Sequence, residues 1–311
     1  MDRPVITRFA PSPTGLLHLG HAYAAKVAHD LARHSGGKMI LRIDDIDHTR
    51  CRDIFTAQIF NDLDWLGLNW YGSVSDVQSG RNAPFQSQRM PAYQAALKTL
   101  QDKGLVYPCY LSRRELNELL SAPHTPLASQ IDENIPAATP ASVVANTDQL
   151  LSKKEQARRH AAGQSAAWRL RMDAAIDMAM SGNGNDGETL SWLDHLAGRQ
   201  TANPAQFGDV VIARADIAVS YHLSVVVDDA LDGVTLVTRG DDLAVSTHLH
   251  RLLQALFALS VPDYCHHALV LDQDGKRLAK RGSALSLEMM RQMHDDPSSI
   301  FAKMPPMPAV N

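Results

Sequence analysis

"VITRFAPSPTGLLHLGHAYAAKVAHDLARHSGGKMILRI", residues 5–43, decides the architecture of the chain. It opens on a strand-like run, Val5–Ala10, and closes on another, Lys38–Ile43. Between them Ala22, Ala25, Val27, Ala28, Leu31 and Ala32 recur at helical spacing, which predicts a helix over Leu19–His34 stopped by Gly36-Gly37. Strand, helix and strand in this order make a βαβ unit, hence a parallel sheet with a right-handed crossover. In such sheets ligands bind beyond the C-terminal ends of the strands. "APSPTGLLHLGH", residues 10–21, lies there. Pro11 and Pro13 stiffen the turn, and Gly15 and Gly20 let backbone approach a ligand closely. The helix start offers N–H groups and the positive end of a dipole, which together favour phosphate. His18 and His21 stand three apart, on one face of the first turn. Alone, such a pair fits two surface histidines. Behind this turn, the spacing suits a grip on a polyphosphate.

The chain has 311 residues, 45% of them hydrophobic and 21% charged, an ordinary globular composition. That length suggests about two domains and a core that needs no staples. The three cysteines, Cys51, Cys109 and Cys265, are far apart and form no C-x-x-C or C-x-C pair. Neither a disulfide framework nor a zinc site is expected, and a reducing, cytoplasmic compartment fits. The N-terminus has no apolar run of a signal peptide. No apolar stretch reaches the ~18 residues of a membrane span. A net charge of −4 gives no global pull toward nucleic acid, so RNA contact would need local basic patches.

Helical patterns follow around Ile54–Leu66 and Pro91–Lys103. From Gly104 the character changes. Residues 121–150 are rich in Pro, Ala and Ser without firm periodicity and read as a loop-rich insertion; "SGNGNDGETLS", Ser181–Ser191, reads as a second loop. Strand-like runs return at Asp209–Ala213, Ser224–Val227 and Val234–Val237. Ser246-Thr247 are expected to cap a helix carrying Leu249, Leu252, Leu253 and Leu256, and "HALVLD", His267–Asp272, reads as a late strand. The expected organisation is a split α/β domain. Its first half covers 1–103, an insertion 104–190, its second half 191–262, and a loop with a short helical tail 263–311. "SKKEQARRH", Ser152–His160, fits a solvated helix face or a contact with RNA phosphates equally well.

Late in the chain, "DGKRLAKRGS" sets Lys276, Arg277, Lys280 and Arg281 on a loop after a strand. Such a loop can neutralise charge developing on a transferring phosphoryl group. Alone it would be a solvated basic loop. With the histidine turn, it resembles the paired HIGH and KMSKS signatures of class I aminoacyl-tRNA synthetases. "HLGH", His18–His21, stands for the first. "RLAKR", Arg277–Arg281, stands for a degenerate second, with Lys280 at its second lysine. The resemblance implies a Rossmann-type α/β fold with ATP, accompanied by Mg2+, as a substrate. It also implies that His18, Gly20, His21 and Lys280 serve the nucleotide and the transition state of adenylate formation.

The wider resemblance is to the glutamyl branch, carried by "RFAPSPTGLLHLGH", "LRIDDID" (Leu41–Asp47), "DWLGLNW" (Asp64–Trp70), "YHLSVVVDDALDGVTLVTRGDD" (Tyr221–Asp242) and "HRLLQAL" (His250–Leu256) in order. It covers roughly residues 3–115 and 190–290. It implies that Arg8, Ala10, Ser12, Asp44, Tyr221 and Arg239 contact L-glutamate. The chemistry agrees. Arginine forks suit the two carboxylates, Asp44 suits the ammonium, and Ser12 and Tyr221 add neutral hydrogen bonds. The branch usually has Glu where this chain has Asp44. Read without the resemblance, "DDID" also fits a solvated turn or an acidic metal cluster, and Asp228-Asp229 and Asp241-Asp242 fit turns near the site. Tyr221 alone fits a core position, as do Trp65 and Trp70.

Only residues 281–311 follow Lys280, too few for the anticodon-reading region of a glutamyl-tRNA synthetase. The length and "SYHLSVVVDDALDGVT" resemble the glutamyl-queuosine tRNA(Asp) synthetases, which activate glutamate and attach it to the queuosine base in the anticodon of tRNA(Asp). The expected partners are therefore L-glutamate, ATP and queuosine-containing tRNA(Asp), for an enzyme expected to be monomeric and not membrane-bound. The alternatives are a truncated synthetase charging a tRNA 3′ end and a catalytically silent binding module. Many members hold zinc through a Cys-x-Cys pair; here Cys109 is followed by Leu111 at the second position, and His124 is isolated, so zinc is not expected.

Overall fold

The computed structural model describes residues 4–76, 78, 82–112, 114–116, 146–181, 189–214, 219–271, 285–293 and 296–308. The opening βαβ unit is β1 (Ile6–Phe9), α1 (Leu19–His34) and β2 (Lys38–Leu41), with β1 and β2 parallel and Arg8 opposite Ile40. Ala22, Ala25, Ala28 and Ala32 form the buried stripe of α1. Side chains this small let the helix lie close over the strands, and Thr7 Oγ1 donates to Ala28 O at 2.7 Å. Gly37 turns the chain into β2 against β1. A Cβ there would lie 1.9 Å from Val5 O, so only glycine fits this approach.

Next come α2 (Asp53–Trp65), α3 (Met90–Asp102), β3 (Val106–Cys109), α4 (Lys153–Ala161), β4 (Ala167–Leu170) and α5 (Met172–Ser181). They are followed by β5 (Ser191–Asp194), β6 (Gly198–Thr201), β7 (Val211–Ala213), α6 (Tyr221–Leu231), β8 (Leu236–Gly240), α7 (Ser246–Leu256) and β9 (Asp263–His267). Two short helices, α8 (Leu287–Gln292) and α9 (Pro297–Phe301), complete the described chain. The order β6-β5-β9-β8 makes one sheet, with β5, β9 and β8 parallel and β6 antiparallel at the edge. β8 lies beside β1, where Ile6 N–H donates to Thr235 Oγ1 (2.8 Å) and Thr235 N–H to Ile6 O (2.9 Å). The opening βαβ unit and the β6-β5-β9-β8 sheet meet there. β3, β4 and β7 form a separate antiparallel sheet.

Three expectations about elements are corrected. Ser224–Val227 is not a strand but the middle of α6. Val225-Val226-Val227 favours extended backbone locally. Ser220 nevertheless caps a helix by accepting from Leu223 N–H, and the helix carries Asp228 and Asp229 to buried arginines. The late strand is β9, and it ends at His267 where "HALVLD" begins. α7 begins at Ser246, but neither Ser246 nor Thr247 caps it; the N-cap is Val245, which makes no side-chain cap, and Thr247 Oγ1 accepts from Arg239 instead.

Cys109 Sγ accepts from Thr147 Oγ1 at 3.4 Å, beside Tyr107, whose hydroxyl donates to Asp209 Oδ2 at 2.8 Å. Among the described residues no group of three or more His, Cys, Asp or Glu is placed to hold a metal ion, and no helix is long and apolar enough to cross a membrane. Most of the loop-rich stretch 121–150, including His124, lies outside the described residues, as does most of Ser181–Ser191. In α4, Arg158 and Arg159 pair with Glu155, and Arg159 also with Glu115. Trp70 is core, packed on Phe60, and Trp65 is partly buried beside it.

Candidate active site

The C-terminal ends of β1 and β8 open into a cleft of about 580 Å³. Its walls include Arg8, Ala10 and Ser12 from β1 and the turn after it, His18, Gly20 and His21 from the start of α1, and Asp44, Tyr221 and Arg239. Every site residue read from sequence that falls among the described residues therefore lines one cavity. Lys280 lies outside the described residues, with the whole of 272–284. The described chain on either side of that segment borders the cleft. Val270 lines it, and Ser286 bridges to His18 while Leu287 N–H donates to Leu17 O at 2.9 Å.

The two histidines form a reciprocal cap. His18 is the N-cap residue of α1, and its Nδ1 accepts from Gly20 N–H at 3.1 Å. His21 Nδ1 accepts in turn from His18 N–H at 3.2 Å, and the ring centroids lie 3.9 Å apart. This is the capping-box arrangement, with imidazoles in place of the usual hydroxyl and carboxylate. It gives the three-residue spacing a second meaning. A ring nitrogen that accepts an N–H carries no proton, so each neutral ring holds its proton on Nε2. The cap thus sets both tautomers. It also engages N–H groups that the sequence suggested would be offered to a ligand. Gly20 leaves room for this packing: a Cβ would stand 3.1 Å from His18 Cε1 and 3.3 Å from its Nδ1, and the His18 ring would have to shift by a few tenths of an ångström.

Behind the cleft lies a buried ion network that sequence reasoning missed. Arg42, on the strand exit after β2, is wholly buried. Its Nε donates to Asp44 Oδ1 (2.8 Å), and its Nη1 donates to Asp229 Oδ1 (2.8 Å) and Asp232 Oδ2 (3.1 Å). Arg8 Nε donates to the same Asp229 oxygen at 3.1 Å, and Arg8 Nη1 to Thr238 O at 2.8 Å. Arg89 bridges Asp228 and Asp232, while Gln86 and the Tyr93 hydroxyl also donate to Asp228. Asp228 and Asp229, which from sequence fit a turn near the site, are buried helix residues. Three guanidiniums face four carboxylates, so the cluster holds one carboxylate in excess. Of these four carboxylates, Asp44 is the one that lines the cleft. Burial, reinforced by Asp228 and Asp229, outweighs Arg42 and pushes Asp44 up to about 6.

Arg239 stands apart from that cluster. Its Nη1 donates to the Tyr221 hydroxyl at 3.4 Å and to His250 Nδ1 at 3.2 Å, its Nη2 to Thr247 Oγ1 at 2.6 Å, and its Nε to His266 Nε2 at 3.1 Å. Tyr221, the first residue of α6, is 42% exposed and is a cleft residue, not a core one. His250 hydrogen-bonds His222 at 3.2 Å. Burial, with Arg239 nearby, depresses His222 to about 4 and holds His250 well below the ordinary histidine value, so both stay neutral acceptors or donors near neutrality. The cleft therefore presents a cationic fork at Arg239, an acidic pole at Asp44 and two imidazoles at a helix start. That set can hold a zwitterion with an extra carboxylate beside a phosphate chain.

Comparison with known proteins agrees. The family described as tRNA synthetases class I (E and Q), catalytic domain, matches residues 4–304. The chain is 44% identical over 297 residues to a glutamyl-Q tRNA(Asp) synthetase of Rhodobacter capsulatus, spanning 95% of this chain and 98% of that protein. It is 40% identical over 294 residues to one of Symbiobacterium thermophilum, spanning 94% and 83%. Among solved structures it resembles a glutamate tRNA ligase from Elizabethkingia meningosepticum in complex with its amino acid, at 25% identity and a TM-score of 0.67, over 90% of this chain and 52% of that one. The chain belongs to the class I tRNA synthetase family of glutamyl and glutaminyl type.

Proposed function

We propose that the protein activates L-glutamate with ATP and transfers it to the queuosine base in the anticodon of tRNA(Asp). The observation that carries this reading is one cleft that joins the histidine cap of α1 to Arg239, Tyr221 and Asp44, in a chain that matches glutamyl-Q tRNA(Asp) synthetases over nearly its whole length. A glutamate carboxylate oxygen attacks the α-phosphorus of ATP, forming glutamyl-adenylate and releasing pyrophosphate. A hydroxyl of the queuosine diol then attacks the activated carbonyl, and AMP leaves. That diol resembles the terminal ribose diol of a tRNA, so the same adenylate chemistry serves a different acceptor.

In this reading Arg239 and Tyr221 receive one carboxylate and Arg8 faces the other. Asp44 and Ser12 hold the ammonium beside Ala10. His18, Gly20 and His21 take the triphosphate of ATP, which carries Mg2+, and Lys280 joins them from the loop. Imidazole Nε2–H groups and a lysine ammonium stabilise charge that grows on the phosphoryl oxygens. The acceptor is tested directly. Radiolabelled glutamate should become attached to queuosine-containing tRNA(Asp), should resist removal of the tRNA 3′ end, and should not attach to the same tRNA lacking queuosine. Transfer to tRNA(Glu) that periodate oxidation of its 3′ end abolishes would refute the proposal.

The ammonium role of Asp44 makes glutamate binding pH-dependent. An ammonium prefers the ionised carboxylate, so binding draws the Asp44 pKa below its free value of about 6. Affinity should therefore fall as pH drops through that value, by up to about tenfold per pH unit below it. Calorimetric titration with glutamate across this range checks the effect, and Asp44→Asn should weaken binding and flatten the profile. A profile of unchanged slope in that variant would remove Asp44 from the role.

A further inference from the structure

Arg239 differs from the neighbouring arginines in what surrounds it. Arg8, Arg42 and Arg89 donate to carboxylates. Arg239 donates only to neutral groups: the hydroxyls of Tyr221 and Thr247, and ring nitrogens of His250 and His266. Among the described residues it forms no direct ion pair. The carboxylate nearest in the network, Asp194, is one imidazole away, bonded to His266 Nδ1. Arg239 is thus oriented on several sides while its charge remains uncompensated by direct contact. A fork held in this way favours a carboxylate over an amide, because only the anion neutralises it.

The hydrogen bonds specify how that state is kept. His266 Nε2 faces Arg239 Nε–H at 3.1 Å and the Thr247 hydroxyl at 3.1 Å. Arg239 has donors only, so Nε2 must be unprotonated and the ring proton must sit on Nδ1, toward Asp194 Oδ2. The other Asp194 oxygen, Oδ1, accepts from Leu196 N–H (2.9 Å) and Ala197 N–H (3.1 Å), which fixes the orientation of the carboxylate. The imidazole lies stacked on Tyr264, with planes 7° apart and centroids 5.6 Å apart, so its plane is held as well.

We propose that His266, with its tautomer set by Asp194, is a positioning residue that holds the Arg239 fork ready for a substrate carboxylate without neutralising it. This rests on the reading of Arg239 as a glutamate ligand. Asp194→Asn offers a narrow test. Two backbone N–H groups claim the Oδ1 position, so the amide oxygen stays there and the amide NH2 turns to His266 Nδ1. The ring must then accept at Nδ1 and carry its proton on Nε2, where it opposes Arg239 Nε–H. The turn at Leu196 and Ala197 keeps its acceptor, so the fold is spared.

The experiment measures glutamate-dependent ATP–pyrophosphate exchange for wild type, Asp194→Asn, His266→Ala, His266→Gln and Arg239→Lys, with melting temperatures and nitrogen-15 imidazole spectra. Asp194→Asn should raise the glutamate KM about 10- to 100-fold, a range seen for residues that orient a ligating side chain. The ATP KM and the melting temperature should hold, and the His266 signal should change tautomer. His266→Gln, whose amide oxygen can still accept from Arg239, should recover part of what His266→Ala loses. A wild-type glutamate KM in Asp194→Asn beside an impaired Arg239→Lys overturns the positioning role and leaves Arg239 as the ligand. A wild-type glutamate KM in Arg239→Lys and Asp194→Asn alike overturns both.

Discussion

Replacing Arg42 by leucine is expected to destabilise the protein by on the order of 3–5 kcal/mol. A typical domain has only about 5–15 kcal/mol in total. The side chain is fully buried and touches Asp44, Asp228, Asp229 and Asp232 within 3.6 Å. Without it, Arg8 and Arg89 must balance four carboxylates in a site with little water. Leucine fills part of the volume but answers none of the charge. Arg42→Lys should lie between, since an ammonium supplies charge without the fork that reaches several acids at once. The sign of the pH effect separates lost charge from lost packing. At pH 7 the stranded carboxylates repel. As pH falls toward the carboxylate range they protonate, so the deficit of Arg42→Leu relative to wild type should shrink. Urea unfolding at pH 7 and about pH 5 reads both quantities. A wild-type midpoint for Arg42→Leu at pH 7 would show that the network does not stabilise the fold.

What the sequence revealed and concealed follows from range. The helix Leu19–His34 was legible to the residue because its apolar spacing and the Gly36-Gly37 stop are local. The cleft was legible at Arg8, Ser12, His18, His21, Asp44, Tyr221 and Arg239 because local turn chemistry and a resemblance of ordered motifs marked them. Arg42 was not. Apart from Asp44 two positions on, its partners lie some 190 positions away, and a lone arginine at a strand exit carries no local sign of a cage of four carboxylates. α6 was misread because Val225-Val226-Val227 reports β preference, while the force that makes it a helix comes from burying Asp228 and Asp229 against arginines of other elements. The cage of Arg239 was equally hidden. His250 and His266 belong to α7 and β9, and only the packed fold brings them to one guanidinium, with His222 of α6 behind His250. Thr247 shows the same competition on a small scale, with a hydroxyl expected at a helix cap drawn instead to Arg239.

His18 should prove to have two separable tasks, and a pair of substitutions divides them. As N-cap it accepts from Gly20 N–H through Nδ1, which satisfies one of the open donors at the start of α1. As a proposed ATP ligand it donates from Nε2. Asparagine is among the best N-caps, so His18→Asn should keep the cap and leave the melting temperature near wild type. It is too short to place a donor where the imidazole Nε2 stands. His18→Ala loses both tasks and should also lose about 1 kcal/mol of stability. Both variants should slow adenylate formation by about 10²–10³-fold, or ~2.7–4 kcal/mol, the usual cost of removing one donor aimed at developing charge. The glutamate KM should move little, because the carboxylate fork at Arg239 and the acidic pole at Asp44 are untouched. ATP–pyrophosphate exchange gives the rate and thermal unfolding gives the stability. Wild-type exchange by His18→Asn would reduce this histidine to a helix cap and leave the phosphate chemistry to His21 and the late basic loop.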